Sequence, residues 1–286
     1  VFDQDTGAEA APVAEPEPKP VAEQAAQGSG AVVLPSDPGA AAAAISAHRF
    51  APGAASAAVL VASDPLLVAV AVPVAAAVNG PVLLADHPAT SAELARLAPA
   101  TLYALGIDIE GADRIDRIDR TDHADGEQPR DPAAASMAAA EFVRHRTGTV
   151  RAFCIGATEQ AQGIAGPVAA AAAARRYPVM IGCDAARRGA MEGERRAAVT
   201  YLVGRDAIAG AAHVPGGFPL PAPADEQVPA RLAQLLKADK AEPDAAAVTS
   251  ADAEPLLKAV LAASGGVVLY DVPADPPPTL YRTSTP

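Results

Sequence analysis

The chain has 286 residues, half of them hydrophobic and a fifth charged, which is enough for one large domain or two ordinary ones. Trp is absent, Phe and Tyr number five each, and Ala makes up about a quarter of the chain, so the core is one of Ala, Val and Leu, and aromatic clefts for stacking sugars or single-stranded nucleic acid are excluded. A formal charge of −12 excludes ordinary DNA binding, whose affinity comes from phosphate neutralisation.

Residues 1–30 differ from the rest. Pro recurs every few residues, large apolar groups are few, and six acids face a single Lys. Such a segment cannot bury enough surface to offset its ordering entropy, so it is predicted to be an extended tail held only by contact, with its own repeats or, as the favoured reading, with a neighbour. An Ala/Pro/Glu tail starting at Val1 is also what remains when an export signal is removed. The surplus of Arg over Lys, with abundant Ala, Gly and Pro, points to a high-GC, actinobacterial type of genome.

From residue 31 short apolar strands alternate with Ala-rich helices. Strands are expected at 59–63, 81–85 and 101–106, with helices over 66–78 and 91–97, the latter capped by Thr90 or Ser91. The pattern then recurs: helix 133–144, strand 150–156, helix 161–175, strands 177–182 and 198–204. Pro73-Val-Ala-Ala-Ala77 aligns with Pro167-Val-Ala-Ala-Ala171, Gly80-Pro-Val-Leu-Leu84 with Tyr177-Pro-Val-Met-Ile181, and Leu102-Tyr-Ala-Leu-Gly106 with Thr200-Tyr-Leu-Val-Gly204, at offsets of 94, 97 and 98. A shorter third unit follows a Pro/Gly-rich join at 213–223, with helices over 225–237 and 253–263 and strands over 246–250 and 266–271; Thr279-Leu-Tyr281 echoes Thr101-Leu-Tyr103. Continuously apolar strands alternating with helices imply parallel sheets covered on both faces. The expected divisions are a tail (1–30), unit 1 (31–112), unit 2 (113–212) and a shortened unit 3 (213–286), with 59–63, 152–156 and 246–250 as equivalent strands.

With those residues in view, the chain resembles the cell wall binding repeat 2 family of exported Gram-positive proteins. The match is carried by Gly80-Pro-Val-Leu-Leu84, Glu93-Leu-Ala-Arg-Leu97 and Leu102-Tyr-Ala-Leu-Gly106. The resemblance covers residues 31–286. It implies an α/β fold of three small Rossmann-like or flavodoxin-like repeat units. It also implies an extracellular, cell-wall or cell-surface location, and attachment to an anionic wall polymer without catalysis. The family's Arg-containing segment between repeats has a worn counterpart in Arg120 and Arg130 with Asp131-Pro-Ala-Ala-Ala135. Its Asp-Ala pair early in the Ala-rich helix is missing from Asp64-Pro-Leu-Leu-Val-Ala69 and Glu159-Gln-Ala-Gln-Gly-Ile-Ala165.

The residues themselves offer little chemistry. No GxxxxGK[ST] loop, complete dinucleotide fingerprint, GxSxG elbow or HExxH pair occurs, so no cofactor, metal ion or catalytic residue is expected. No run of 18 apolar residues suggests a membrane span. Asp113-Arg-Ile-Asp-Arg-Ile-Asp-Arg120, running on through Glu127, reads as a cation site, as an Arg surface for an anionic polymer, or as a self-compensating connector. The polymer reading assigns Arg114, Arg117, Arg120 and Arg130, whose forks suit phosphate and carboxylate. Cys154 and Cys183, read as lying in and at the end of neighbouring strands, are either a disulfide or two buried thiols. The leading expectation is a wall-binding module. A structural subunit of a surface layer or filament, forming homo-oligomers through the 1–30 tail, is the alternative, with an α/β enzyme third.

Overall fold

The computed structural model describes residues 31–107, 115–117, 131–192, 196–222, 225–238, 245–265, 267–269 and 276–282. The predicted tail and most of the Asp113–Glu127 segment lie outside them.

The first sheet is built from β2 (Ala57–Val61), β3 (Val82–Leu84), β4 (Thr101–Leu105) and β5 (Ile115–Arg117), in the order β3-β2-β4-β5, all parallel. The second repeats that order with β7-β6-β8-β9, from β6 (Arg151–Ile155), β7 (Val179–Ile181), β8 (Val199–Leu202) and β9 (Gly217–Pro219), again all parallel. The third runs β11-β10-β12-β1, from β10 (Ala245–Val248), β11 (Val267–Leu269), β12 (Thr279–Arg282) and the chain's first described strand, β1 (Ala31–Val33). The expected strands at 59–63, 152–156 and 246–250 thus correspond to β2, β6 and β10, which occupy the same place in the three sheets.

The third sheet departs from the expected parallel pattern. β10 and β11 are parallel, but β12 runs antiparallel to both β10 and β1. A parallel neighbour needs a crossover of a dozen or more residues. Residues 85–100 and 182–198 supply one in the first two units, while only 270–278, four of them Pro, separate β11 from β12. The sheets also draw strands across the expected unit divisions. Ile115–Arg117 joins the first sheet, Gly217–Pro219 the second, and Ala31–Val33 the third. The fourth place, beside β12, is therefore filled from the other end of the chain.

Three helices lie at the centre, one after the middle strand of each unit: α2 (Pro65–Val78) after β2, α5 (Glu159–Arg175) after β6, and α9 (Pro255–Ala262) after β10. They pack on one another. Residues 66–75 of α2, 164–172 of α5 and 257–262 of α9 are buried. A helix enclosed on all sides must be apolar all round, and Ala lets several backbones approach at once. The Ala excess thus follows from the architecture.

The helix that opens each unit packs on the central helix of the unit before. α4 (Pro132–Thr147) sits on α2, α8 (Val228–Ala238) on α5, and α1 (Pro38–Arg49) on α9. The last contact runs from the first unit to the third, so helices and sheet both close the molecule into a ring. α1 and α4 start alike. Asp37 Oδ1 accepts from Ala40 N at 2.7 Å and Asp131 Oδ1 from Ala133 N at 3.0 Å, each with Pro at the first helical position.

The helix expected at 91–97 begins earlier. α3 spans Pro88–Leu97, and its cap is His87, whose Nδ1 accepts from Ala89 N at 3.2 Å. Thr90 is instead buried, donating its hydroxyl to Leu84 O. His87 Nε2 reaches Asp37 Oδ1 at 2.9 Å and ties the starts of α3 and α1 together. At the other end of α3, Arg96 grips the buried Glu93 through Nε and Nη2 and donates Nη1–H to Phe50 O. Burial raises the Glu93 pKa, but the hydrogen bonds and charge of Arg96 outweigh it and lower the net value.

Candidate functional site

In a parallel α/β unit each crossover helix runs against its strands. Helix N-termini therefore gather at one end of the molecule and C-termini at the other. The charges follow. Asp37, Asp64, Asp131, Asp184 and Asp206 cap or open helices at the first end. Arg49, Arg96, Arg146, Arg175 and Lys237 lie in last turns at the second. Each charge offsets its own helix dipole, so among the described residues named here the helix-opening end is acidic and the helix-ending end basic.

At the acidic end, the switch points where such sheets bind nucleotides are occupied by the chain itself. The Asp64 carboxylate accepts from Leu66 N and Leu67 N at 2.9 Å, taking the place at the α2 N-terminus where a phosphate would sit. Ser63 donates to Asp86 Oδ1 beside it. In the second sheet Thr158 donates to Asp206 Oδ2 at 2.5 Å, and the space among Gly156, Ile164, Gly204 and Asp206 is about 10 Å³. That holds no more than a water molecule.

The basic end has a cavity of about 240 Å³ where the C-termini of α2, α5 and α9 converge. Asn79, Arg176 and Gly265 border it, each with a left-handed φ, of 53°, 54° and 80°. Arg49 reaches in from the end of α1 and donates Nη1–H to Ala263 O at 2.8 Å. Nothing in a single repeat marks this cavity, because its walls come from three helix ends far apart in sequence.

Of the four arginines singled out from the sequence, Arg114, Arg120 and Arg130 lie outside the described residues. Arg117 is the last residue of β5, paired in register with Ala104, and Arg130 precedes the α4 cap Asp131. The Arg-bearing segment therefore joins the edge of the first sheet to the opening helix of the second unit. Among the described residues no group of three or more His, Cys, Asp or Glu could hold a metal ion. No described helix is long and apolar enough to cross a membrane. The second sheet does gather Phe153, Tyr177, Tyr201 and Phe218, with neighbouring ring centroids 5.4–6.4 Å apart. Phe153 and Tyr201 are buried and only Phe218 is largely exposed, so this is a packed layer and not a cleft.

Cys154 and Cys183 are free thiols. Cys154 lies in β6 opposite Met180, but Cys183 does not end the next strand as its sequence position suggests. It is the first residue of α6 (Cys183–Met191), half-buried, with Sγ 3.4 Å from Ala207 O. The neighbouring Cys154 thiol lowers the Cys183 pKa to about 7, against burial and the nearby Asp184 and Asp206 carboxylates. Cys183 in turn raises the buried Cys154, and burial adds to the rise. Alkylation of the folded protein with both thiols reduced, by iodoacetamide, should therefore modify Cys183 alone, with a rate that climbs through a midpoint near pH 7. A midpoint at the ordinary thiol value of about 8.5, or equal labelling of Cys154, would contradict this contact.

No known protein family matches the chain in a scan of family profiles, and no curated protein matches it. Solved structures do. Cwp8 from Clostridium difficile superposes with a TM-score of 0.58 and 18% identity over 82% of this chain, and Cwp6 from the same organism with 0.58 and 17% over 83%. The chain spans 43% and 41% of those two proteins. At such identity the likeness is one of fold: the three-unit α/β arrangement of this chain is also found in Cwp8 and Cwp6.

Proposed function

We propose that the chain is a non-catalytic module of the cell envelope that attaches, outside the cell, to an anionic wall polymer. The observation that supports it most is the fold shared with Cwp8 and Cwp6, which are cell wall proteins. Two features of this chain are consistent with it. The helix-ending arginines can receive polyanion, as a surface apart from the Arg117 segment, on a protein whose net charge is −12, and the switch points that would take a nucleotide are filled by carboxylates. On this reading Arg114, Arg117, Arg120 and Arg130 form one polymer contact between units 1 and 2, and Cys154 and Cys183 are the pair a disulfide would join after export.

The test of the arginine assignment is retention on purified wall. Replacing all four arginines with Ala should weaken pull-down and flatten its dependence on salt, because fewer counterions are released on binding. Retention and salt slope equal to those of the unaltered chain would reject this segment. A second reading, a structural subunit of a surface layer or filament, is favoured by large apolar residues exposed on outer strands, Val33 on β1 and Phe218 on β9. It requires the 1–30 tail to contact a neighbour. Light scattering should then show the full chain assembling and a chain lacking residues 1–30 remaining monomeric; identical particle masses would remove that reading's main support.

A further inference from the structure

We infer that the cavity where the three central helices end is a second, separate binding site, and that it takes one acidic hexose unit, a sugar bearing a carboxylate or a phosphate. The choice of a sugar rests on the wall-polymer reading; the existence of the site does not.

Size sets the first limit. About 240 Å³ is below the roughly 300–1,000 Å³ of sites for drug-sized ligands. It suits a single ring or chain end, not a run of polymer. The walls are small side chains, Ala76, Ala174 and Ala263 among them, so the backbone is within reach of a ligand. The ends of the central helices are largely closed by the chain itself, Ala75 O by Asn79 N and Gly80 N, Ala172 O by Arg176 N and Tyr177 N, and Ala263 O by Arg49, so the recognising groups are the guanidinium forks. Arg49 and Arg176 border the cavity and supply the cationic forks that an acid group needs.

The backbone carries a second, independent signal. Among the described residues only three other than Gly have positive φ, and two of them, Asn79 and Arg176, border this cavity. Glycine is the ordinary occupant of that helix-ending position, and Gly265 holds it in the third unit. A strained arginine at such a place, facing a polar cavity, is the pattern of a residue kept for its side chain. Gly265 has its own part. A Cβ there would lie 3.1 Å from Arg49 Nη1, so the missing side chain leaves room for the guanidinium that bonds Ala263 O. Arg49 is thereby held in position before any ligand arrives. All three units contribute, so only the closed ring has the site.

Two variants separate binding from folding. Arg176→Gly removes the guanidinium and also relieves the left-handed strain, so the fold should be kept. Ala174→Leu leaves both arginines and fills the cavity. Glucuronate, glucose 1-phosphate, glucose and inorganic phosphate are titrated into the full chain and each variant, followed by amide chemical shifts, with thermal melts as the control for folding. At least one of glucuronate and glucose 1-phosphate should bind the unaltered chain, and whichever binds identifies the acid group. Glucose and inorganic phosphate, each lacking half of the recognised chemistry, should bind at least tenfold more weakly. Arg176→Gly should weaken the acidic sugar at least tenfold and Ala174→Leu should abolish it. Failure of both acidic sugars, or affinities unchanged in folded variants, would overturn the site. Acidic sugar binding by a chain that is not retained on purified wall would uphold the site and overturn the wall-polymer reading.

Discussion

A chain lacking residues 1–34 should unfold well before the full chain in a urea titration, whereas a chain lacking only residues 1–30 should unfold with it. The difference lies in β1. Ala31, Val32 and Val33 pair with Tyr281, Leu280 and Thr279, Leu34 N donates to Pro278 O at 2.7 Å, and Leu34 is 3% exposed. Burying one Leu contributes about 1.5–3 kcal/mol and each net hydrogen bond about 0.5–1.5 kcal/mol. The loss is therefore about 3–5 kcal/mol, a large share of the roughly 5–15 kcal/mol that holds a typical domain. The effect should fall first on the third unit, whose β12 would be left with an open edge. If both truncated chains unfold together with the full one, the ring is not closed by β1.

Ala169→Leu should lower the melting temperature by several degrees. Ala169 is fully buried in α5, where the central helix packs on α2 and α9 and carries α8 on another side. With neighbours all round, the extra carbons have no free direction, and overpacking of this kind costs about 1–3 kcal/mol. At about 2–4 °C per kcal/mol for a chain of this order of size, the shift is easily read by calorimetry. Ala95→Leu is the control. Ala95 is exposed on α3, so the same change there should leave the melting temperature nearly unaltered. Equal effects at the two positions would mean that the central helices are not tightly packed.

Local elements were legible because they rest on local chemistry. The Pro73 and Pro167 alignment located two of the three central helices, and the short apolar runs around Val59 and Phe153 located their strands. What the sequence hid depends on contacts between distant parts. Ala31–Val33 is an ordinary short strand in a local reading; only the whole chain shows it crossing to β12. The antiparallel β12 needed the length of 270–278 weighed against a crossover, which its echo of Thr101-Leu-Tyr103 masked. Thr90 and Ser91 are more usual caps than His87, and they mask the helix start that Pro88 marks. Cys183 reads as the end of a strand because Val179–Ile181 runs into it without a polar break, whereas Gly182, at φ 83°, turns the chain into α6. The cavity between helix ends is invisible in any one repeat.

The most direct test of the wall-binding account is co-sedimentation of the full chain with purified Gram-positive wall, before and after the anionic polymer is removed chemically. The account predicts sedimentation with intact wall, release as salt rises, and loss of binding to stripped wall. Equal sedimentation with intact and stripped wall, or with neither, would contradict it.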